Sequence, residues 1–281
     1  MVPGGYGIFY ITPMQKIRFI VPNAFTSLNF LLGVASICWS AGLFLSENEA
    51  LGIAYPMVMG AHFIIFCALL DKLDGFAARA FNASSEFGAQ FDSLADLIAF
   101  GIAPAFMVLF AYKNISPNWY ESHKLALFAG AAVYMVCAAM RLAKYNAMDN
   151  DSYPDYFSGM PSTFAGIVNA LAIILLCKYK FFDYHPDILY IPLVIMLFTG
   201  ILMVSPLFLA KLKKRKSLAI NIFQVVNIAG AYIAGFAMIL PEYLTALVLI
   251  YFIIGFGHGI VKRNSIISSQ ESKNASKREE A

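Results

Sequence analysis

The chain has 281 residues, of which 60% are hydrophobic and only 13% charged, and its formal net charge is +3. Soluble domains are about 45–50% apolar and about 25% charged, so this composition excludes a water-soluble fold and defines an all-α integral membrane protein. The small positive charge gives no basis for nucleic-acid binding. The lone histidines and cysteines, among them Cys38, Cys67, Cys137 and Cys177, have neither zinc nor disulfide spacing, and the cysteines read as small buried hydrophobes.

Residues 1–20, with Pro3, Gly4, Gly5, Lys16 and Arg18, read as an N-terminal interfacial segment without a cleavable signal peptide. A polytopic membrane domain follows over 21–261. About 20 apolar residues are needed per crossing, and the hydropathy pattern predicts eight spans: 21–45, 52–80, 88–112, 124–146, 162–179, 188–210, 218–240 and 243–261. Residues 262–281, rich in Ser, Lys, Glu and Asn, read as a solvated tail.

Basic residues fix the expected topology. Lys16 and Arg18 precede span one, Lys211, Lys213, Lys214, Arg215 and Lys216 join spans six and seven, and Lys262 and Arg263 follow span eight. An even number of spans puts all three patches on one side, which the positive-inside rule makes the cytoplasm. The connections between spans two and three and between four and five face the same way. The run KLKKRK reads as an anchor for anionic headgroups. The two halves contain no matching pair of broken helices, which weakens a transporter reading.

The junction of spans two and three is DKLDGFAARAFNASSEFGAQFDSLAD, residues 71–96. Asp71 and Asp74 are three apart, and Asp92 and Asp96 four apart, so each pair shares a helix face. A tight turn through FNASSEFG would bring the four carboxylates together. Unneutralised, such a cluster at a membrane edge is strongly unfavourable, and two divalent cations would offset it. All-oxygen ligands suit Mg2+ or Mn2+, with Ca2+ also compatible. Gly75, Ala78 and Gly88 leave room for a flat ligand, and Arg79 offers a fork suited to phosphate oxygens. Together these residues point to metal-assisted phosphoryl transfer. A surface cluster or a cation or proton pathway would explain the carboxylates, but neither accounts for Gly75, Ala78, Arg79 and Gly88.

The pattern Asp71-x-x-Asp74-Gly75-x-x-Ala78-Arg79, then Gly88, Asp92 and Asp96, resembles the signature of the CDP-alcohol phosphotransferases at every position. The resemblance implies that family's fold, and transfer of a CMP-linked phosphatidyl group to an alcohol with release of CMP. It further implies that Asp71, Asp74 and Asp92 are metal ligands. Asp96 would complete the metal site or act as base, Arg79 would grip the diphosphate, and Gly75, Ala78 and Gly88 would line the nucleotide pocket. PNAFTSLNFLLG (22–33), FDSLADLIAFGIAPA (91–105), RLAKYN (141–146) and FSGMP (157–161) resemble the phosphatidylserine synthase branch. This likeness spans roughly residues 20 to 170 and implies CDP-diacylglycerol and L-serine as substrates, membrane lipids as surroundings, and a homodimer.

Within that frame Asn23 and Thr26 are candidates for the cytosine or ribose, with helix capping at the start of span one as the simpler role. Arg141 and Lys144 could hold the serine carboxylate or a lipid phosphate, although positive-inside anchoring also explains them. Asn146 is a weaker acceptor contact. Pro104 is expected to kink span three, and Gly159 and Pro161 to make a turn. The open alternatives are another acceptor, such as glycerol phosphate or inositol phosphate, an archaeal-type ether-lipid donor, or a small cation or metabolite transporter.

Overall fold

The computed structural model describes residues 13–43, 55–80, 85–147, 153, 155–180, 186–213 and 217–268. Its elements are α1 (Pro13–Ser40), α2 (Tyr55–Ala80), α3 (Glu86–Asp96), a π-helical segment (Leu97–Ile102), α4 (Ala103–Ile115), α5 (Pro117–Ala147), β1 (Tyr156–Ser158), α6 (Ser162–Tyr179), a 3-10 turn (Pro186–Leu189), α7 (Tyr190–Val204), β2 (Phe208–Ala210), α8 (Leu218–Phe236) and α9 (Pro241–Val261). Because α3, the π segment and α4 run on as one rod, Glu86–Ile115, the described residues form eight rods, matching the eight predicted spans. Six are long and apolar enough to cross a bilayer, and α7, with 15 residues, is shorter. The protein is an all-α, multi-pass membrane protein.

Several boundaries differ from expectation, and α5 begins at Pro117 and not at 124. The first helix begins at Pro13, within the segment read as interfacial, because proline is well accommodated in a first helical turn. Asn23 and Thr26 are therefore interior residues of α1 and not caps. Span six ends at Val204, where Ser205 turns extended ahead of Pro206, and the residues beyond it form β2. The C-terminal segment read as a tail has Lys262–Ser268 described, while residues 269–281 lie outside the described residues, as do 1–12.

Helix α1 buries Thr26, Asn29, Gly33, Ser36 and Ser40, spaced three and four apart along one stripe. Small and polar residues there allow close helix approach. Ser36 Oγ donates to the Gly60 carbonyl of α2 at 2.7 Å, and a Cβ on Gly60 would sit 2.0 Å from Ser40 Oγ. A Cβ on Gly33 would meet Ala99 Cα at 3.0 Å, so α1 also lies directly on the π segment. The apolar core lies among α2, α4, α5 and α6, with Ile64, Met107, Leu127 and Ile173 fully buried.

The π segment is the local answer to Pro104. Proline cannot donate to the carbonyl four residues back, here Phe100, and its ring crowds that oxygen. The rod widens by one residue: the Ala103 amide donates to Ile98, five back, and the buried Tyr134 hydroxyl of α5 donates to the Phe100 carbonyl at 2.8 Å. The rod continues past Pro104 through a bulge that begins at Leu97, directly after Asp96. Tyr134→Phe removes that donor, and we expect a loss of about 1–2 kcal/mol of stability. Unfolding in mixed detergent measures it, and an unchanged midpoint would show that the bulge needs no support from α5.

Candidate metal centre

The end of α2 and the start of α3 bring carboxylates from two helices to one place. Ser85, extended at φ −137°, caps α3: its Oγ accepts from the Gly88 amide at 3.0 Å. That cap starts α3, and residues four apart along it turn Asp92 and Asp96 the same way. Asp71 arrives from α2. One carboxylate oxygen from each of Asp71, Asp92 and Asp96 lies within 4.8 Å of the others, and Asp96 is only 8% exposed.

At an effective dielectric near 20, each like-charge pair at this separation repels by about 3 kcal/mol. Summed over three pairs, that is comparable with the whole stability of an ordinary fold, roughly 5–15 kcal/mol. Local counter-charge is limited. Lys72 Nζ lies 2.8 Å from Asp71 Oδ2 but is largely exposed, and Arg141 reaches Asp96 and Asp71 only through longer-range attraction. The Asp92 Oδ1 and Asp96 Oδ1 atoms are buried without any hydrogen-bond partner. Orphaned, converging carboxylate oxygens are a donor set for a hard divalent cation. The residues present fit such an ion.

Three of the four predicted aspartates are thus brought together. The side chains of Asp74, Ala78 and Arg79 lie outside the described residues, although their backbone continues α2, and 81–84 of the expected turn lie outside as well. Gly75 is half-buried on α2. Gly88 faces α1, where a Cβ would come within 3.4 Å of Asn23 Oδ1, so Asn23 and Gly88 share one wall. Thr26 is buried on the same helix.

The candidate acceptor residues lie on and beside α5. Arg141 Nη1 donates to Ser162 Oγ at 3.1 Å and stacks over the Tyr145 ring at 5.1 Å. Lys144 Nζ donates to Ser158 Oγ at 3.1 Å. Asn146 Nδ2 donates to Ser93 Oγ at 2.8 Å, which ties the end of α5 to α3 one residue beyond Asp92.

Sequence reasoning missed several groups. Thr163 Oγ1 makes a long 3.5 Å contact to Asp71 Oδ2, and Ser158 and Ser162 hold the two α5 cations. These hydroxyls follow or flank Gly159 and Pro161, which read only as turn residues. Asn29, fully buried in α1 with neither end of its carboxamide bonded, was also missed. A polar residue in the middle of an apolar stripe was the available signal. Cys67 is more than a small hydrophobe, since its thiol donates to the Asn29 carbonyl at 3.3 Å; Cys177 is buried, and Cys38 and Cys137 are half-buried.

A sequence model of the CDP-alcohol phosphatidyltransferase family matches residues 19–203. Among characterised proteins, a Helicobacter pylori CDP-diacylglycerol–serine O-phosphatidyltransferase is 34% identical over 198 residues, covering 70% of this chain and 75% of that protein. The protein of that name from Bacillus subtilis is 32% identical over 170 residues, covering 60% of this chain and 79% of its own. The Mycobacterium tuberculosis counterpart is 33% identical over 162 residues, covering 56% of this chain and 49% of its own.

If the three carboxylates share a cation, Asp92→Asn should have opposite effects with and without it. In chelator the variant is expected to match or exceed the parent's melting temperature, because one repulsive charge is gone. With a divalent salt the parent should gain several degrees and the variant little. Thermal unfolding of detergent-solubilised protein reads both, and equal salt-induced gains would contradict a shared site.

Proposed function

The chain belongs to the CDP-alcohol phosphatidyltransferase family, and from that membership we propose that it makes phosphatidylserine from CDP-diacylglycerol and L-serine, releasing CMP. The observation that carries the chemistry is the convergence of Asp71, Asp92 and Asp96 oxygens within 4.8 Å, two of them orphaned and buried. The printed names of the relatives, over 70% of this chain in the first case, support serine as the acceptor.

In this reading Asp71, Asp74 and Asp92 hold Mg2+ or Mn2+, two ions in all, with Asp96 shared between the second ion and proton transfer. Bound cations neutralise the diphosphate and make its phosphorus a better electrophile. The chain's own residues do the rest. Arg79 grips the diphosphate, and Gly75, Ala78, Gly88, Asn23 and Thr26 form the nucleotide wall. Asp96 takes the proton from the serine hydroxyl, whose oxygen forms a bond to the lipid-bearing phosphorus as the bond to CMP breaks. Arg141 and Lys144 hold the serine carboxylate, a role supported by the longer-range attraction between Arg141 and Asp96 and by the hydroxyls that fix both cations. Asn146 braces that side through Ser93.

The site lies at the membrane edge on the cytoplasmic side, a placement supported by the basic residues near it, Lys144, Lys211 and Lys213. Lipid tails can remain in the bilayer while the headgroup reacts. A homodimer belongs to the same proposal. The outward apolar residues of α5, including Leu125, Val136 and Met140, suit either a second copy or lipid.

Purified protein in lipid nanodiscs, given CDP-diacylglycerol and Mg2+ or Mn2+, is expected to release CMP only when serine is added. CMP release with another alcohol but not with serine would overturn the acceptor. Asp96→Asn should lower turnover by about 10²–10⁴-fold while CDP-lipid binding persists. Asp71→Asn should weaken metal and CDP-lipid binding together, and identical behaviour of the two variants would contradict the division of roles.

A further inference from the structure

The family match ends at residue 203, yet the part of the chain beyond it reaches back to the acceptor side of the site. Strand β2 pairs antiparallel with β1, Tyr156 opposite Ala210, Phe157 opposite Leu209 and Ser158 opposite Phe208. The strap then turns at Gly159, whose φ of +77° and tight fit (a Cβ would lie 2.4 Å from the Met203 carbonyl oxygen) demand glycine. The Gly159 amide donates to Leu207 at 2.7 Å, and the Met160 amide to Leu202 at 2.9 Å. From there the chain enters α6 at Ser162.

Helix α9 packs against this strand pair. Tyr251 donates to the Ala210 carbonyl at 2.9 Å, and Tyr156 Oη lies 3.1 Å from His258 Nδ1, with the two rings stacked. At Gly259 the helix backbone meets β2 so closely that a Cβ would sit 1.7 Å from the Phe208 carbonyl oxygen. Lys211 closes the open end, donating to the Tyr153 carbonyl at 3.0 Å above the Phe157 ring.

On its other side the same strap presents hydroxyls to the two α5 cations: Ser158 to Lys144 and Ser162 to Arg141, each at 3.1 Å, with Thr163 next to Asp71. A packed path of hydrogen bonds and backbone contacts therefore runs from Gly259 and His258 through the strand pair to Arg141 and Lys144.

We propose that α9 and the β1–β2 strand pair form an acceptor-positioning clip, in which Gly259, His258 and Tyr156 fix the Ser158–Ser162 strap and thereby aim Arg141 and Lys144 at the acceptor's carboxylate. The three clip residues act through that strap and are positioning residues. The strap hydroxyls bond Arg141 and Lys144 directly and meet Asp71 only through the long Thr163 contact, so the clip is expected to act chiefly on acceptor binding. The proposal rests on the reading of Arg141 and Lys144 as acceptor contacts.

The test compares Gly259→Ala, Tyr156→Phe and Arg141→Gln in nanodisc-held full-length protein, with KM for serine, KM for CDP-diacylglycerol and Tm measured for each. An added Cβ at 259 forces β2 to move by about 1 Å or more. A shift of that size at a positioning element is expected to raise the serine KM roughly tenfold or more with CDP-diacylglycerol KM near the parent's, while the clash with the Phe208 backbone lowers Tm. Tyr156→Phe keeps the stacked ring and loses only the hydroxyl contact, so it folds and is expected to raise serine KM about threefold. If Arg141→Gln raises serine KM but neither clip variant does, the clip is overturned and the acceptor reading stands. If Arg141→Gln leaves serine KM unchanged, the acceptor reading fails and the clip fails with it. Parallel rises in both KM values in Tyr156→Phe would show a global effect and also overturn the proposal.

Discussion

Mutual repulsion among Asp71, Asp92 and Asp96 is the constraint around which the rest of this bundle is arranged. Three carboxylate oxygens within 4.8 Å, one of them on a residue almost wholly buried, repel one another strongly unless a cation or a proton compensates them. Contacts among the neighbouring helices support that geometry. The Ser85 cap starts α3, Gly33 lets α1 lie on the π segment, and Ser36 ties α1 to α2 at Gly60. The bulge begins at the residue after Asp96, so the helix changes pitch just beyond the site. Tyr134 of α5 secures the carbonyl that Pro104 cannot bond. A loose scaffold would let the carboxylates drift apart and lower their repulsion, at the expense of the cation site.

The division of labour across the bundle follows from which helices supply which groups. Helices α1, α2 and α3 supply carboxylates and the narrow wall at Gly88, while α5 and the start of α6 supply cations and hydroxyls. Under the proposed roles, the donor side and the acceptor side are therefore built from different helices.

Much of this was legible in the sequence. Eight apolar runs became eight rods because burial in lipid leaves the backbone few options besides a helix. The aspartates were legible because charge at a membrane edge is costly and three- and four-residue spacing has a fixed meaning on a helix. The strand pair was not legible, since Phe208–Ala210 is as apolar as the helix before it and only Pro206 marks the break. Ser162 and Thr163 were hidden for a different reason: they lie more than sixty residues from the signature, and only the return of α6 to α2 makes Thr163 a neighbour of Asp71. Pairings set by tertiary packing leave no period in the chain.

The central claim is that aspartates of two adjoining helices make one divalent-cation centre. Anomalous diffraction from crystals grown with Mn2+ tests it most directly. The account predicts manganese density bounded by Asp71, Asp92 and Asp96. Manganese bound elsewhere, with those three carboxylates free of metal, would contradict it.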